Sequence, residues 1–421
     1  MRTRFALVAL LAGLLAVAMP ASLMATDGYF SHGFGTEQKG MAGAGVALWF
    51  GPMDAATNPA AGVFSGPGLD FGAAAFNPNR DFQVTGTPSG YPGTFGLAPG
   101  SVTSGSKWFA LPHAAVTWKL NPTTAFGVAL YGNGGMNTTY DASVFGGSVP
   151  TGVNVMQVFV APNVSKKFAG RHAVGASLLL AYQRFDARGL QAFSMFSSAP
   201  DKLTNNSPAN AFGVGVRVGY LGQLSRYLSV GASYQSRTKM TKFDNFSGLF
   251  AEHGGFDIPS NWVVGIAVKP APVVDIAVDL QQVRYSEVKS IANPLLPNLM
   301  TAQLGDDNGA GFGWRNMTTL KMGAQYRGAR GFTWRGGYSY GRQPVPSSEV
   351  LFNILAPGVV EQHVTFGLSK EIGERKAINL AIMRALPHTI SGPNPLEAPG
   401  QQQIALSMNQ WEYEVSYSVK F

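Results

Sequence analysis

The sequence predicts an all-β protein: an antiparallel transmembrane β-barrel of about fourteen strands, its lumen plugged by an N-terminal hatch. Three observations point there. Apolar residues alternate with small or polar ones over segments of about ten residues or more, long enough for a tilted membrane-spanning strand. Short connections alternate with long ones along the chain. Charged residues make up only 13% of the chain, while 52 of the 421 residues are glycine, against roughly 25% charged and 7% glycine in soluble domains.

The N-terminus sets the compartment. Arg2 and Arg4 precede an apolar run from Phe5 to Met19, then Pro20 and small residues up to Ala25. Residues 1–25 read as a secretory signal peptide, too short for a comfortable span, with cleavage after Ala25. Beyond it no apolar run reaches the ~18 residues a spanning helix needs. There is no cysteine, which excludes a disulfide scaffold and thiolate chemistry. The net charge is +8, but the 31 Lys and Arg are scattered, and nucleic acid is not an expected partner.

Residues 26–67 do not alternate. They are rich in Gly and Ala and carry Tyr29, Phe30, Phe34, Met41, Trp49, Phe50, Met53 and Phe64. So apolar a segment is expected inside the lumen as the hatch, against the alternative of a loose tail. "GMAGAG" (residues 40–45) imitates a dinucleotide loop but lacks the βαβ context, so Gly43 and Gly45 are read as allowing close packing.

Residues 68–421 are the expected barrel. In "AFGVGVRVGYL", Phe212, Val214, Val216 and Val218 share one face and Gly213, Gly215 and Arg217 the other. The last eleven residues, "WEYEVSYSVKF", alternate in the same way. Such segments centre near residues 74, 113, 128, 158, 178, 217, 232, 265, 278, 320, 335, 366, 381 and 414. Turns such as "KLNPTT" and "KPAPV" are short; 81–106, 189–208, 240–258, 286–311, 342–358 and 387–406 read as long loops. In hydrocarbon an unpaired N–H or C=O costs several kcal/mol, so the sheet must close and the last strand must pair with the first. Pro112 and Pro162 fall inside the second and fourth segments and imply bulges or strand ends.

Enzyme chemistry finds no support. The six histidines have no metal-ligand spacing, no G-x-S-x-G occurs, and Asp306-Asp307 sits in a Gly-rich loop. No cofactor or metal is expected.

"TDGYFSHGFGTEQKGMAGAGVA" followed by "DAATNPAA" resembles the N-terminal signature of FadL-type outer-membrane transporters, with Asn58-Pro59-Ala60 matching the family's NPA. "FGVALYGNGGMNTTYDASVFGGSVP", "IPSNWVVG" and "WRGGYSYGRQPVPSSEV" look similar too, in the family's order. The resemblance implies a fourteen-stranded barrel with a hatch. It implies passive uptake of hydrophobic compounds, most of all long-chain fatty acids, with aromatic hydrocarbons in the TodX-like branch as the alternative. A general porin for small polar solutes and a lipid enzyme are the rivals from other classes. The physical need is plain: each methylene gains about 0.8 kcal/mol on leaving water, on the order of 11 kcal/mol for a sixteen-carbon chain.

The resemblance also implies a lateral exit at a kinked third strand, here Asn133, Gly134 and Gly135; a plain loop start is the other reading of those glycines. It offers Arg188 and Lys289 as head-group cations, with Arg184, which shares the inward parity read for Arg188, as substitute, and exposed loop charge as the other reading. Apolar loop residues Phe193, Phe196, Leu295 and Leu299 are expected to wall an access groove. By likeness to outer-membrane barrels in general, Tyr417, Val419 and Phe421 form a C-terminal insertion signal. The partners then expected of a monomer are hydrophobic small molecules, outer-membrane lipid and lipopolysaccharide, and the barrel-insertion machinery.

Overall fold

Period-two alternation becomes one continuous antiparallel wall. The computed structural model describes residues 27–421, and the expected signal peptide and its cleavage site lie outside the described residues. Fourteen strands form the wall, each centred where the alternation places it: β1 (Gly68–Thr85), β2 (Phe109–Asn121), β3 (Thr124–Thr139), β4 (Gly152–Phe168), β5 (His172–Arg188), β6 (Ala209–Gln223), β7 (Leu228–Gln235), β8 (Asn261–Ala271), β9 (Val274–Val283), β10 (Met317–Arg327), β11 (Phe332–Gly341), β12 (Gln362–Ile372), β13 (Lys376–Pro393) and β14 (Gln403–Lys420). Each pairs with its neighbours in sequence, and β14 returns to β1, in register from Gly68↔Lys420 to Thr85↔Gln403. Two further short strands, Gly100–Thr103 on β1 and Lys239–Met240 on β6, belong to long loops.

The two faces divide by chemistry. On β6, Phe212, Val214, Val216 and Val218 are 48–63% exposed, while Arg217 between them is 3% exposed. Val264 and Ile266 on β8, Leu380 and Ile382 on β13, and Val415 on β14 are likewise exposed. A water-soluble sheet buries such a face; here it forms a belt, which suits hydrocarbon outside. Aromatic residues flank the belt: Trp118 on Phe126 and Phe71 on Tyr417 near the short turns, Trp411 on Tyr413 towards the long loops.

Some boundaries differ from the sequence reading. Residues 387–406 are not one long loop: after a register shift between Ala385 and His388, β13 continues to Pro393 opposite Gln403, leaving only 394–402 as connection. Pro162 causes no bulge, for the β4–β5 ladder skips Ala161 and Pro162 and resumes at Asn163↔Ser177 in the same register. Pro112 pairs with Ala73 of β1 but lies beyond the last β2–β3 pair, Ala114↔Leu130, and so occupies an open edge where a missing donor costs least.

Residues 27–65 bond to inward-facing groups of the wall. Lys39 is held between Glu412 and Glu414 of β14, and Thr36 donates to Glu414 at 2.8 Å. The N–H groups of Gly45 and Val46 donate to Asp279 of β9 at 2.7 and 2.8 Å. Lys321 of β10 reaches Asp27 at 2.9 Å and the His32 carbonyl at 2.6 Å. The inward glycines make the seat: a Cβ on Gly337 would stand 2.3 Å from Met41, and one on Gly175 2.4 Å from Pro59. The small second face of the strands is therefore shaped to this segment.

Candidate functional site

At the long-loop end an apolar cavity of about 620 Å³ opens above this segment. Its wall combines Met136 of β3, Val153 and Val155 of β4 and Phe185 of β5 with Leu190, Phe193, Phe250, Phe312, Phe352 and Leu355 from four long loops. Aromatic rings pack the loops onto the wall and onto one another: Phe250 meets Phe185 of β5 at 4.6 Å and Phe193 meets Phe352 edge-on at 5.2 Å. Among the described residues Ser290 is the one polar side chain in the lining, and its hydroxyl donates to the Gly255 carbonyl at 2.5 Å. Among the described residues no charged side chain lines the cavity. Its chemistry is that of an oil droplet ringed by phenyl groups.

Below the cavity Tyr29 and Phe30 pack among Phe256, Tyr285 and Trp314, with Tyr29 5.3 Å from Tyr285 and 5.9 Å from Trp314. The Tyr29 N–H donates to the Tyr285 hydroxyl at 3.2 Å, and that hydroxyl donates to the Asp27 carbonyl. Burial pushes both phenols up, so neither ionises near neutrality. This aromatic floor escaped the sequence reading. Tyr285 and Trp314 stand in the 284–316 loop, far along the chain from Tyr29, and no local pattern links them.

Beside the floor the wall is interrupted. β3 continues past Leu130 without β2. Its register to β4 shifts between Gly132 and Gly134. There Ser31 donates to the Asn133 carbonyl, and Gly135 donates to the Tyr29 carbonyl, both at 3.0 Å. Gly134 has no room for a side chain, since a Cβ would meet the Tyr29 carbonyl oxygen at 1.8 Å. A second cavity, about 370 Å³, opens between Leu111, Pro112 and His113 of β2 and Tyr131 and Gly132 of β3.

The expected cations are elsewhere. Arg184 and Arg188 stand on the outward face of β5, and the Arg188 side chain is 58% exposed, 4.0 Å from Asp186. The inward parity assigned to them is corrected: they follow Leu178, Leu180 and Tyr182, while Gln183, Phe185 and Ala187 face in. Lys289 pairs with Glu252 at 3.4 Å and does not line the cavity. Of the apolar loop residues, Phe193 lines it; Leu295 and Leu299 are buried in the surrounding core, and Phe196 is half-buried against that core.

The remaining named residues also have places. Phe34 packs tilted against Tyr131, 4.7 Å between ring centres, under the Arg217 guanidinium. Met41 is fully buried, and Gly43 takes φ +79° against the His32 carbonyl. Asn58 caps a helical turn by accepting from the Ala60 N–H at 3.1 Å, with Pro59 first in the turn, and its amide donates to the Tyr220 carbonyl of β6 at 2.9 Å. At the other terminus Tyr417 and Val419 lie on β14, and the Phe421 N–H donates to the Pro67 carbonyl at 3.2 Å.

Solved structures share this architecture. The toluene transporter TodX of P. putida is 19% identical, with a TM-score of 0.68 over 93% of this chain and 99% of its own. A FadL homologue of Pseudomonas aeruginosa is 16% identical, with a TM-score of 0.70 over 94% and 100%. The toluene transporter TbuX of Ralstonia pickettii is 20% identical, with a TM-score of 0.63 over 93% and 99%. At such identities the likeness is one of fold. A search among curated proteins finds no match. The model of the outer membrane protein transport protein family (OMPP1/FadL/TodX) matches residues 17–382. With a closed fourteen-stranded wall and a match over most of its length, the chain belongs to that family, the outer-membrane barrels that transport hydrophobic compounds.

Proposed function

We propose that this barrel takes up neutral, apolar small molecules, alkylbenzenes being the model substrate, in preference to long-chain fatty acids. One observation carries the reading: among the described residues the cavity is lined by phenyl faces and aliphatic groups and by no cation. A carboxylate there would lose its water with nothing to replace it, a cost of several kcal/mol. A hydrocarbon loses nothing polar and gains by its buried area. Residues 26–67 act as the hatch, with Tyr29 and Phe30 closing the cavity floor. The route onward runs through the interruption between β2 and β3 and out sideways into the bilayer, because an oily solute gains nothing by entering water. The protein performs no chemistry on its cargo.

The test is calorimetric. Purified protein is titrated with ethylbenzene and with palmitate, alongside Phe193→Asp, which places a carboxylate in the lining. Saturable binding of ethylbenzene that palmitate does not displace, weakened at least tenfold in the variant, is the expected result. Tighter binding of palmitate would return the assignment to fatty acids.

A further inference from the structure

The net positive charge is not spread over the molecule. Among the described residues, the six short turns and the strand ends beside them carry twelve Lys and Arg against three acids, Asp275, Glu371 and Glu374. The long loops and the strand ends beside them carry thirteen of each sign, and the interior is acidic on balance. Nothing in the composition demands this asymmetry.

The cations form a ring. Every short turn contributes: Lys119, Arg171, Arg226, Lys269, Arg330 and Arg375 mark the six in order, and Lys420 stands at the seam of β14 with β1. Among the described residues, only Lys269 and Arg327 find a carboxylate at this end, both on Asp275, at 3.7 and 2.6 Å. Several rest on aromatic rings that end the apolar belt: Arg226 lies 4.6 Å from the Tyr227 ring and Lys370 4.3 Å from that of Phe332. Such cations stand one layer outside the hydrocarbon, at the height of lipid phosphates. In outer-membrane barrels the short turns face the periplasm.

We infer that the short-turn rim is a docking ring for anionic phospholipid headgroups of the periplasmic leaflet. The arrangement favours a membrane over a soluble acidic partner. Arg171, Arg226, Lys269 and Arg327 do rim the open mouth near Trp49, where such a partner could reach. The other eight stand round the remaining circumference, and only a planar array of phosphates meets them all. Charge attraction of this kind is screened by salt.

The full-length protein is reconstituted in phosphatidylcholine bilayers with spin-labelled phosphatidylglycerol or phosphatidylcholine, and the motionally restricted fraction of each label is measured. A severalfold preference for phosphatidylglycerol at 50 mM NaCl, collapsing at 500 mM, is expected. A rim variant, Lys119→Gln, Arg171→Gln, Arg226→Gln and Arg375→Gln together, loses the preference. A variant with four long-loop cations neutralised, Lys107→Gln, Lys202→Gln, Lys239→Gln and Lys242→Gln, keeps it. Equal association of the two labels with the native protein overturns the inference, as does equal loss in both variants. Capture of polyglutamate by the rim without any lipid preference would assign the ring to a soluble acidic partner instead. None of these outcomes depends on what the apolar cavity binds.

Discussion

Single side chains hold residues 27–65 in place, and Asp54 shows how acidity enters. Its carboxylate accepts from the N–H groups of Phe50 and Gly51, at 2.7 and 2.8 Å, and from the Ser65 hydroxyl at 2.8 Å. Burial nevertheless raises its pKa to about 7. A folded value above the unfolded one means stability complete below pH ~4 and lost as pH rises through about 7. Hydrogen exchange of residues 50–65, corrected for intrinsic rates, should therefore quicken between pH 5 and pH 8. Asp54→Asn, which keeps an acceptor but cannot ionise, should remove that dependence; an unchanged pH profile would refute the assignment. At this scale the sequence was partly legible. Asn58-Pro59 announces a capped turn wherever it occurs, and the structure has one there. The parity of Arg184 and Arg188 was legible as well, because they continue the outward set of Leu178 and Leu180. They carry charge because β5 has by then left the hydrocarbon. The pairing of Glu412 and Glu414 with Lys39 was not legible, since nothing local joins residues so far apart.

Among the elements, the proposed route of passage rests on β3 and the segment laid against it. Gly134→Val would drive a methyl-bearing carbon into the Tyr29 carbonyl and displace Tyr29–Ser31, at about 1–3 kcal/mol of strain. Ethylbenzene uptake in proteoliposomes should fall severalfold while the barrel still shifts on heating in gels; normal uptake would argue against sideways exit. Deleting residues 27–60 should leave a wide, unselective pore, read as a large rise in planar-bilayer conductance, and unchanged conductance would remove the hatch. The strands themselves were nearly all visible, because a face against lipid and a face against small residues give the cleanest alternation a sequence can carry. The loop architecture was not. Four loops converge on one cavity through contacts such as Phe193 on Phe352, and convergence leaves no periodic trace.

For the whole molecule, we propose that the last strand carries the signal for insertion. The C-terminal aromatic edge, with Tyr417 against Phe71 and Phe421 bonded to Pro67, completes the wall at the short-turn end. Removing Phe421 alone should slow assembly in vivo several-fold, measured as the rate at which heat-modifiable barrel appears after a pulse label, with little change in the melting of what has folded. An unaltered rate would deny the residue a role in recognition.

The seam between β1 and β14 has a kinetic meaning. Its partners stand at opposite ends of the wall-forming chain, Gly68 with Lys420, so the two most distant strands must find each other before any circle exists. Until then β1 and β14 each present a bare ladder that would accept any other extended chain. The riskiest interval in the life of this protein is the one just before it becomes a cylinder, and a shortened chain lacking β14 would spend its whole existence there.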